Sequence, residues 1–140
     1  MTDRGRWLAV DYGEKRVGLA ISDPSGTIAS PAGFIERRAG KRPPIAEIIR
    51  RAGELEAKGF VVGLPLDGNG DETPRSEETR KVAAALGERT KLPVELIDER
   101  FTTAAARRAI REMGGSIRDR RGDVDALAAT VLLQHALAHK

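Results

Sequence analysis

Apolar positions change their period along this chain. Trp7-Leu8-Ala9-Val10 is an unbroken apolar run that ends at Asp11, so Arg6–Val10 predicts a strand. Arg16–Ile21 predicts a second strand, and the intervening turn, Tyr12-Gly13-Glu14-Lys15, is short enough to make the pair a β-hairpin. Thr27–Phe34 predicts a third strand; Pro31 has no N–H to give to a ladder and puts that strand at an edge. Beyond Pro43-Pro44 the period lengthens. Ile45, Ile48, Ile49, Ala52 and Leu55 recur at helical spacing, predicting a helix that stops near Gly59. Phe60–Val62, short and rich in β-branched residues, predicts a buried parallel strand. Leu64–Pro74 is a polar, glycine-rich loop, Ser76–Thr90 a second helix and Pro93–Asp98 another strand. Thr102 or Thr103 caps a predicted helix running to Met113 before Gly114-Gly115. Ser116–Gly122 reads as a basic loop and Asp123–His139 as a final helix.

A strand meander followed by alternating helices and strands predicts an α/β fold. Its mixed five-stranded sheet is antiparallel through the first three strands and parallel afterwards, with helices on both faces. The first strand, apolar on both sides, belongs in the middle. The 140 residues suit one compact domain spanning residues 1–140.

Composition narrows the function classes. Hydrophobic residues are 40% and charged residues 32%, a globular balance. No apolar run approaches the roughly 20 residues needed to span a bilayer, and Met1–Arg6 carries no apolar stretch of a secretory signal, so a cytoplasmic location without membrane partners is expected. The absence of cysteine excludes disulfides and cysteine-held zinc. The net charge is only +3, but its distribution is uneven. Between Arg100 and Arg121 stand seven arginines (100, 107, 108, 111, 118, 120 and 121) against Glu112 and Asp119. Arginine binds phosphate in bidentate fashion, so this segment suits a polyanion; a solvated helix face is the plainer alternative.

Acidic residues fall at the ends of predicted elements: Asp11 after the first strand, Asp98-Glu99 after the last, and Asp125 in the first turn of the final helix. In α/β sheets, ligand sites form at such ends. Clustered carboxylates repel one another unless a cation lies between them, and their hard oxygens favour Mg²⁺ or Mn²⁺. A turn or cap role is open for each, and Asp123 is the better-placed N-cap of the final helix. Asp125, Ala128, Ala129 and Leu132 share a helix face, and the small alanines allow close approach to the sheet. Asp98 and Glu99 point to opposite faces if the strand continues through them, which leaves the choice between them open. His135 and His139, spaced i, i+4 near the C-terminal end, read as exposed helix residues rather than a metal pair.

Four blocks carry a family resemblance. They are Ala9-Val10-Asp11-Tyr12-Gly13-Glu14-Lys15-Arg16-Val17-Gly18; Val61-Val62-Gly63-Leu64-Pro65-Leu66 followed by Gly68 and Gly70; Asp98-Glu99-Arg100-Phe101-Thr102-Thr103; and Asp125-Ala126-Leu127-Ala128-Ala129. In this order and spacing they resemble the YqgF/RuvX family, whose members are named as pre-16S rRNA nucleases and as Holliday junction resolvases. The resemblance implies a ribonuclease-H-like fold and a metal-dependent hydrolase that cuts phosphodiesters. It implies Asp11, Glu99 and Asp125 as catalytic, metal-binding carboxylates, with Asp98 and Asp123 in reserve, and Mg²⁺ or Mn²⁺ as cofactor. Pre-16S rRNA is the favoured substrate and branched DNA the alternative, with the protein a monomer or homodimer. Lys15, Arg16, Arg75, Arg80, Arg100, Arg107, Arg118, Arg120 and Arg121 become candidate nucleic-acid contacts, the residues preceding Asp125 forming a basic lip. The glycine-rich loop after Leu64 is a candidate phosphate cradle through its backbone N–H groups. With few aromatics, base stacking is restricted to Tyr12 or Phe101, so recognition rests on backbone charge and shape. Two other classes compete. One is a catalytically silent nucleic-acid-binding module. The other is an ATP-dependent phosphotransferase, because Asp11–Lys15 also resembles the phosphate hairpin of the sugar-kinase/actin superfamily, a fold that needs a second domain.

Overall fold

Alternation along the central strand decides which residues face each side of the sheet. The computed structural model describes residues 5–37, 42–100 and 121–139, with backbone only for 121–123. Its elements are β1 (Arg6–Tyr12), β2 (Arg16–Ser22), β3 (Ala29–Glu36), α1 (Ile45–Glu54), β4 (Ala57–Leu64), α2 (Pro74–Thr90), β5 (Val94–Asp98) and α3 (Arg121–Ala138). The sheet order is β3-β2-β1-β4-β5, which centres β1 and makes β3 an edge, as the pattern predicts. β1, β2 and β3 pair antiparallel, and β4 and β5 join in parallel.

Local chemistry explains the element ends. The β1–β2 turn is closed by the Gly13 N–H donating to the Arg16 carbonyl at 3.0 Å. On β3 the pairing shifts near Gly33, whose φ of +87° is open to glycine at little cost. Thr73 caps α2 by accepting from the Ser76 N–H at 3.0 Å, while the Ser76 hydroxyl accepts from the Thr73 N–H; Pro74 follows at the first helical position, where its missing N–H costs nothing.

The two sheet faces differ in side-chain size. Leu8, Val10 and Tyr12 of β1, Val17 and Leu19 of β2, and Phe60 and Val62 of β4 pack on one face against Ile48 and Ala52 of α1 and Val82, Ala83 and Leu86 of α2. On the other face Ala9, Ala20 and Val61 meet Ala129, Leu132, Leu133, Ala136 and Leu137 of α3, with Trp7 alongside. Alternation places Asp11 on this second, thinner face.

Several boundaries differ from the sequence reading. β1 continues through Asp11 and Tyr12, because both pair with β2. β4 is longer at both ends than Phe60–Val62: α1 gives way at Glu54, and Glu56 at φ 57° turns the chain into the strand. Arg121 and Gly122, expected in a loop, are helical, so Asp123 lies inside α3 and is not its N-cap, and Asp125 lies beyond the first turn. The helix expected from Thr102 or Thr103 to Met113, and residues 116–120 of the basic loop, lie outside the described residues. Among the described residues, no helix is long and apolar enough to cross a membrane.

Candidate active site

Asp11 stands opposite Gly18 across the β1–β2 ladder. On its other side the parallel register pairs Val10 with Val62, so the next position, Gly63, lies beside Asp11 on the same face. Asp11 is thus flanked by two residues without side chains, and each gap is filled by another acidic residue. A methyl group at Gly18 would strike the backbone carbonyl of Asp125, so the glycine lets α3 lie against β2. A methyl at Gly63 would stand 2.6 Å from Glu99 Oε1 and 2.8 Å from its Cγ, so the Glu99 side chain occupies that gap.

Register also separates Asp98 from Glu99. β5 pairs Gly63 with Ile97 and Leu64 with Asp98, and the Glu99 N–H still donates to the Leu64 carbonyl at 3.1 Å. Pairing therefore persists for one residue beyond the strand, and Glu99 falls on the face of Asp11. Asp98 is held on the other side by Arg100, whose Nε and Nη2 donate to Asp98 Oδ2 at 2.9 and 2.7 Å. Arg100 holds Asp98 well ionised, below the usual carboxylate range.

The electrostatics single out Asp11. Its pKa is pushed well above the ordinary 3.8, first by burial, then by the neighbouring Glu99 charge and a hydrogen bond with the Glu99 side chain, then by Asp125; Arg75 opposes the rise. Asp125 is engaged by Arg16, whose Nε donates to Asp125 Oδ2 at 2.6 Å. Gly13, Glu14, Lys15, Arg16, Arg75 and Asp125 line a cleft of about 330 Å³.

An oxygen-only donor set with mutually repelling members suits a hard divalent cation such as Mg²⁺ or Mn²⁺. Asp11 and Glu99 touch, and their repulsion is what a cation relieves. Among the described residues, no three His, Asp or Glu groups converge as a ready metal cage. Asp125 is near enough to raise the pKa of Asp11 but is turned toward Arg16. The fit is a contacting carboxylate pair with a third carboxylate adjacent.

The basic residues separate into two sets. Lys15, Arg16 and Arg75 border the cleft. Arg80 is occupied by Glu72 through two hydrogen bonds of 2.7 and 2.9 Å, and Arg100 by Asp98 and the Gly68 carbonyl. Arg107, Arg118 and Arg120 lie outside the described residues; the backbone of Arg121 begins α3 as described. Most amides of the glycine-rich loop, expected as a phosphate cradle, are taken up within the loop itself. Asp67 Oδ1 accepts from the N–H groups of Asn69 and Asp71, the Asp67 carbonyl accepts from Gly70, and the Leu66 and Asp67 amides are also bonded within the loop.

Tyr12 is not available for base stacking. It is 3% exposed on the thick face, its hydroxyl donates to Glu78 Oε1 at 2.8 Å, and the Arg37 guanidinium lies 4.3 Å from its ring centroid. Burial, followed by the bond to Glu78, raises the Tyr12 pKa. Arg37, unnoticed in the sequence, also donates to the Gly13 carbonyl at 2.6 Å and to Glu78, tying the hairpin turn to α2. Nothing in its sequence neighbourhood marks it. Gly18 and Gly63 were visible as motif residues, but their role depends on cross-strand register.

A sheet of this order and direction, with carboxylates at the end of its central strand, is a ribonuclease-H-like arrangement. Thermus thermophilus RuvC, solved in complex with a Holliday junction substrate, superposes with a TM-score of 0.62 over 97% of this chain and 95% of that chain, at 13% identity, a likeness of fold. Residues 5–139 match the model of the RuvX family, described as Holliday junction resolvase, and the chain belongs to that family. Its curated relatives carry the name "Putative pre-16S rRNA nuclease". One from Clavibacter michiganensis is 39% identical over 133 residues, covering 95% of this chain and 83% of the relative; one from Koribacter versatilis is 40% identical over 136 residues, covering 97% and 88%.

Proposed function

We propose that this protein is a metal-dependent nuclease in which Asp11, Glu99 and Asp125 hold Mg²⁺ or Mn²⁺ and hydrolyse phosphodiester bonds, with precursor 16S rRNA as substrate. The observation that carries the reading is the contact between Asp11 and Glu99 at the end of the central strand, with Asp125 adjacent. Adjacent carboxylates resist ionising together, and a divalent cation between them removes that penalty. The RNA assignment is supported by the name shared by the relatives from Clavibacter and Koribacter.

When bound, the cation supplies the positive charge that lets the carboxylates ionise together and that activates water for attack on phosphorus. The remaining work falls to the chain itself. Lys15 and Arg75 at the cleft wall draw the polyanion toward the carboxylates, and Arg16 orients Asp125 by its hydrogen bond. Asp98 stays outside this set because Arg100 holds it. A cytoplasmic site of action fits the proposed substrate, and the 140 residues act as one domain.

Cleavage of precursor 16S RNA, unstructured RNA and a four-way DNA junction, measured in parallel with and without Mn²⁺, tests the proposal. Wild-type protein is expected to cut the precursor only with Mn²⁺. Asp11→Asn is expected to lose more than about a hundredfold, beyond the roughly 10–100-fold typical of groups that merely support a ligand. Full activity in cleanly purified Asp11→Asn overturns the catalytic assignment. Exclusive cutting of the junction overturns the RNA assignment and leaves the nuclease.

A further inference from the structure

We infer that Gly63 is a positioning residue: its missing side chain forms the slot that holds the Glu99 carboxylate against Asp11. This rests on the carboxylate reading above and goes beyond it, because it assigns a role to a residue with no functional group. Three observations meet at this position. The parallel register sets Gly63 beside Asp11 and opposite Ile97, two residues before Glu99. The Glu99 N–H donates to the Leu64 carbonyl, which ties the Glu99 backbone to the end of β4. From there the side chain runs over Gly63, where a methyl would stand 2.6 Å from Oε1, 2.8 Å from Cγ and 3.1 Å from Cδ. Real carbon atoms do not approach so closely, so alanine at 63 displaces Glu99.

The slot differs in kind from the gap at Gly18. There a side chain would meet the backbone of Asp125 and Ala126, which cannot give way without moving α3. At Gly63 it meets the far part of a flexible side chain. Gly63→Ala is therefore expected to spare the fold and misplace one carboxylate, whereas Gly18→Ala is expected to strain the packing of a whole helix.

The experiment is a double-mutant cycle on the full chain, read by thermal unfolding and by Mn²⁺ affinity from calorimetry. Gly63→Ala is expected to weaken Mn²⁺ binding by about 10–100-fold, the range for groups that orient a metal ligand. Glu99→Ala removes the obstructed side chain, so in that background Gly63→Ala is expected to cost nothing further in unfolding temperature or Mn²⁺ affinity. Glu99→Asp shortens the side chain and is expected to regain part of the Mn²⁺ affinity lost in Gly63→Ala. If Gly63→Ala alone fails to fold, Gly63→Ala combined with Glu99→Ala is expected to fold. Equal losses from Gly63→Ala in the presence and absence of the Glu99 side chain overturn the slot, as does unchanged Mn²⁺ affinity in Gly63→Ala when Glu99→Gln has lost it. Unchanged affinity in Glu99→Gln instead overturns the carboxylate reading on which the slot rests.

Discussion

The two faces of the sheet are made from one set of strands yet built to opposite rules. The face under α1 and α2 is filled with Leu8, Val10, Leu19, Phe60 and Val62, all fully buried. The face under α3 carries the small Ala9 and Ala20 beside Val61 and Trp7, and α3 sets Ala129 and Ala136 among Leu132, Leu133 and Leu137. Large side chains hold helices at a distance and contribute most of the buried apolar area. Small ones let a helix come close, which brings the Asp125 backbone onto Gly18 and its carboxylate into the neighbourhood of Asp11. Core packing and the proposed chemistry thus fall to alternate residues of a single strand: Val10 and Tyr12 to one, Ala9 and Asp11 to the other.

That division is open to direct challenge. Phe60→Ala is expected to have the largest effect, about 3–5 kcal/mol, a large part of the roughly 5–15 kcal/mol typical of a folded domain. Denaturant unfolding measures it, and Mn²⁺ affinity of the remaining folded protein is expected to stay within about twofold of wild type. A drop in affinity comparable to that of a carboxylate variant would show that the faces are not separable. Ala129→Leu fills the thin face instead. It is expected to cost about 1–3 kcal/mol through overpacking and, unlike Phe60→Ala, to weaken Mn²⁺ binding by lifting α3 from the sheet.

The pH dependence of the metal-free protein is a subtler discriminator. Asp11, facing Glu99, Asp125 and Arg75, has a folded pKa raised above the ordinary 3.8, so the folded protein holds a proton that the unfolded chain releases. Its contribution to stability is full below 3.8 and is lost as pH rises through the raised value. Metal-free wild type is expected to lose stability across that window. Asp11→Asn is expected to lose less and to be the more stable of the two at neutral pH. Parallel unfolding curves for the two proteins would show that Asp11 and Glu99 do not repel each other. Smallest is the effect of the cleft cations. Lys15→Ala with Arg75→Ala is expected to weaken RNA binding and to reduce the slope of log affinity against log salt by about 0.7 for each phosphate no longer engaged. An unchanged slope takes these residues off the RNA path.

Much of this contrast can be read from the chain. The apolar run Trp7–Val10, which alternation spreads over both faces of a central strand, and the alanines of the last helix point to a central strand and a closely packed helix, and both are found. The same alternation, followed two residues further, puts Tyr12 on the face opposite Asp11; ending the strand at Asp11 hid this and left Tyr12 as a candidate for base stacking. The choice between Asp98 and Glu99 turned on whether pairing continues past the strand, which depends on a bond from the Glu99 N–H to Leu64, 35 positions away in sequence. Gly18 and Gly63 flank Asp11 only through inter-strand register, so their joint role is invisible along the chain. Arg37 reaches Tyr12, Gly13 and Glu78 from the end of β3, an arrangement that no local pattern encodes.

That the thin face exists to hold a cation between carboxylates is tested most directly by the thermal unfolding of wild type and Asp11→Asn with Mn²⁺ titrated in. Saturating Mn²⁺ at about a hundred times its dissociation constant stabilises a specific binder by about 2.7 kcal/mol. Wild type is expected to show a rise in unfolding temperature that follows this concentration dependence, and Asp11→Asn a flat response. An equal rise in both proteins, or none in either, would contradict a cation held at Asp11.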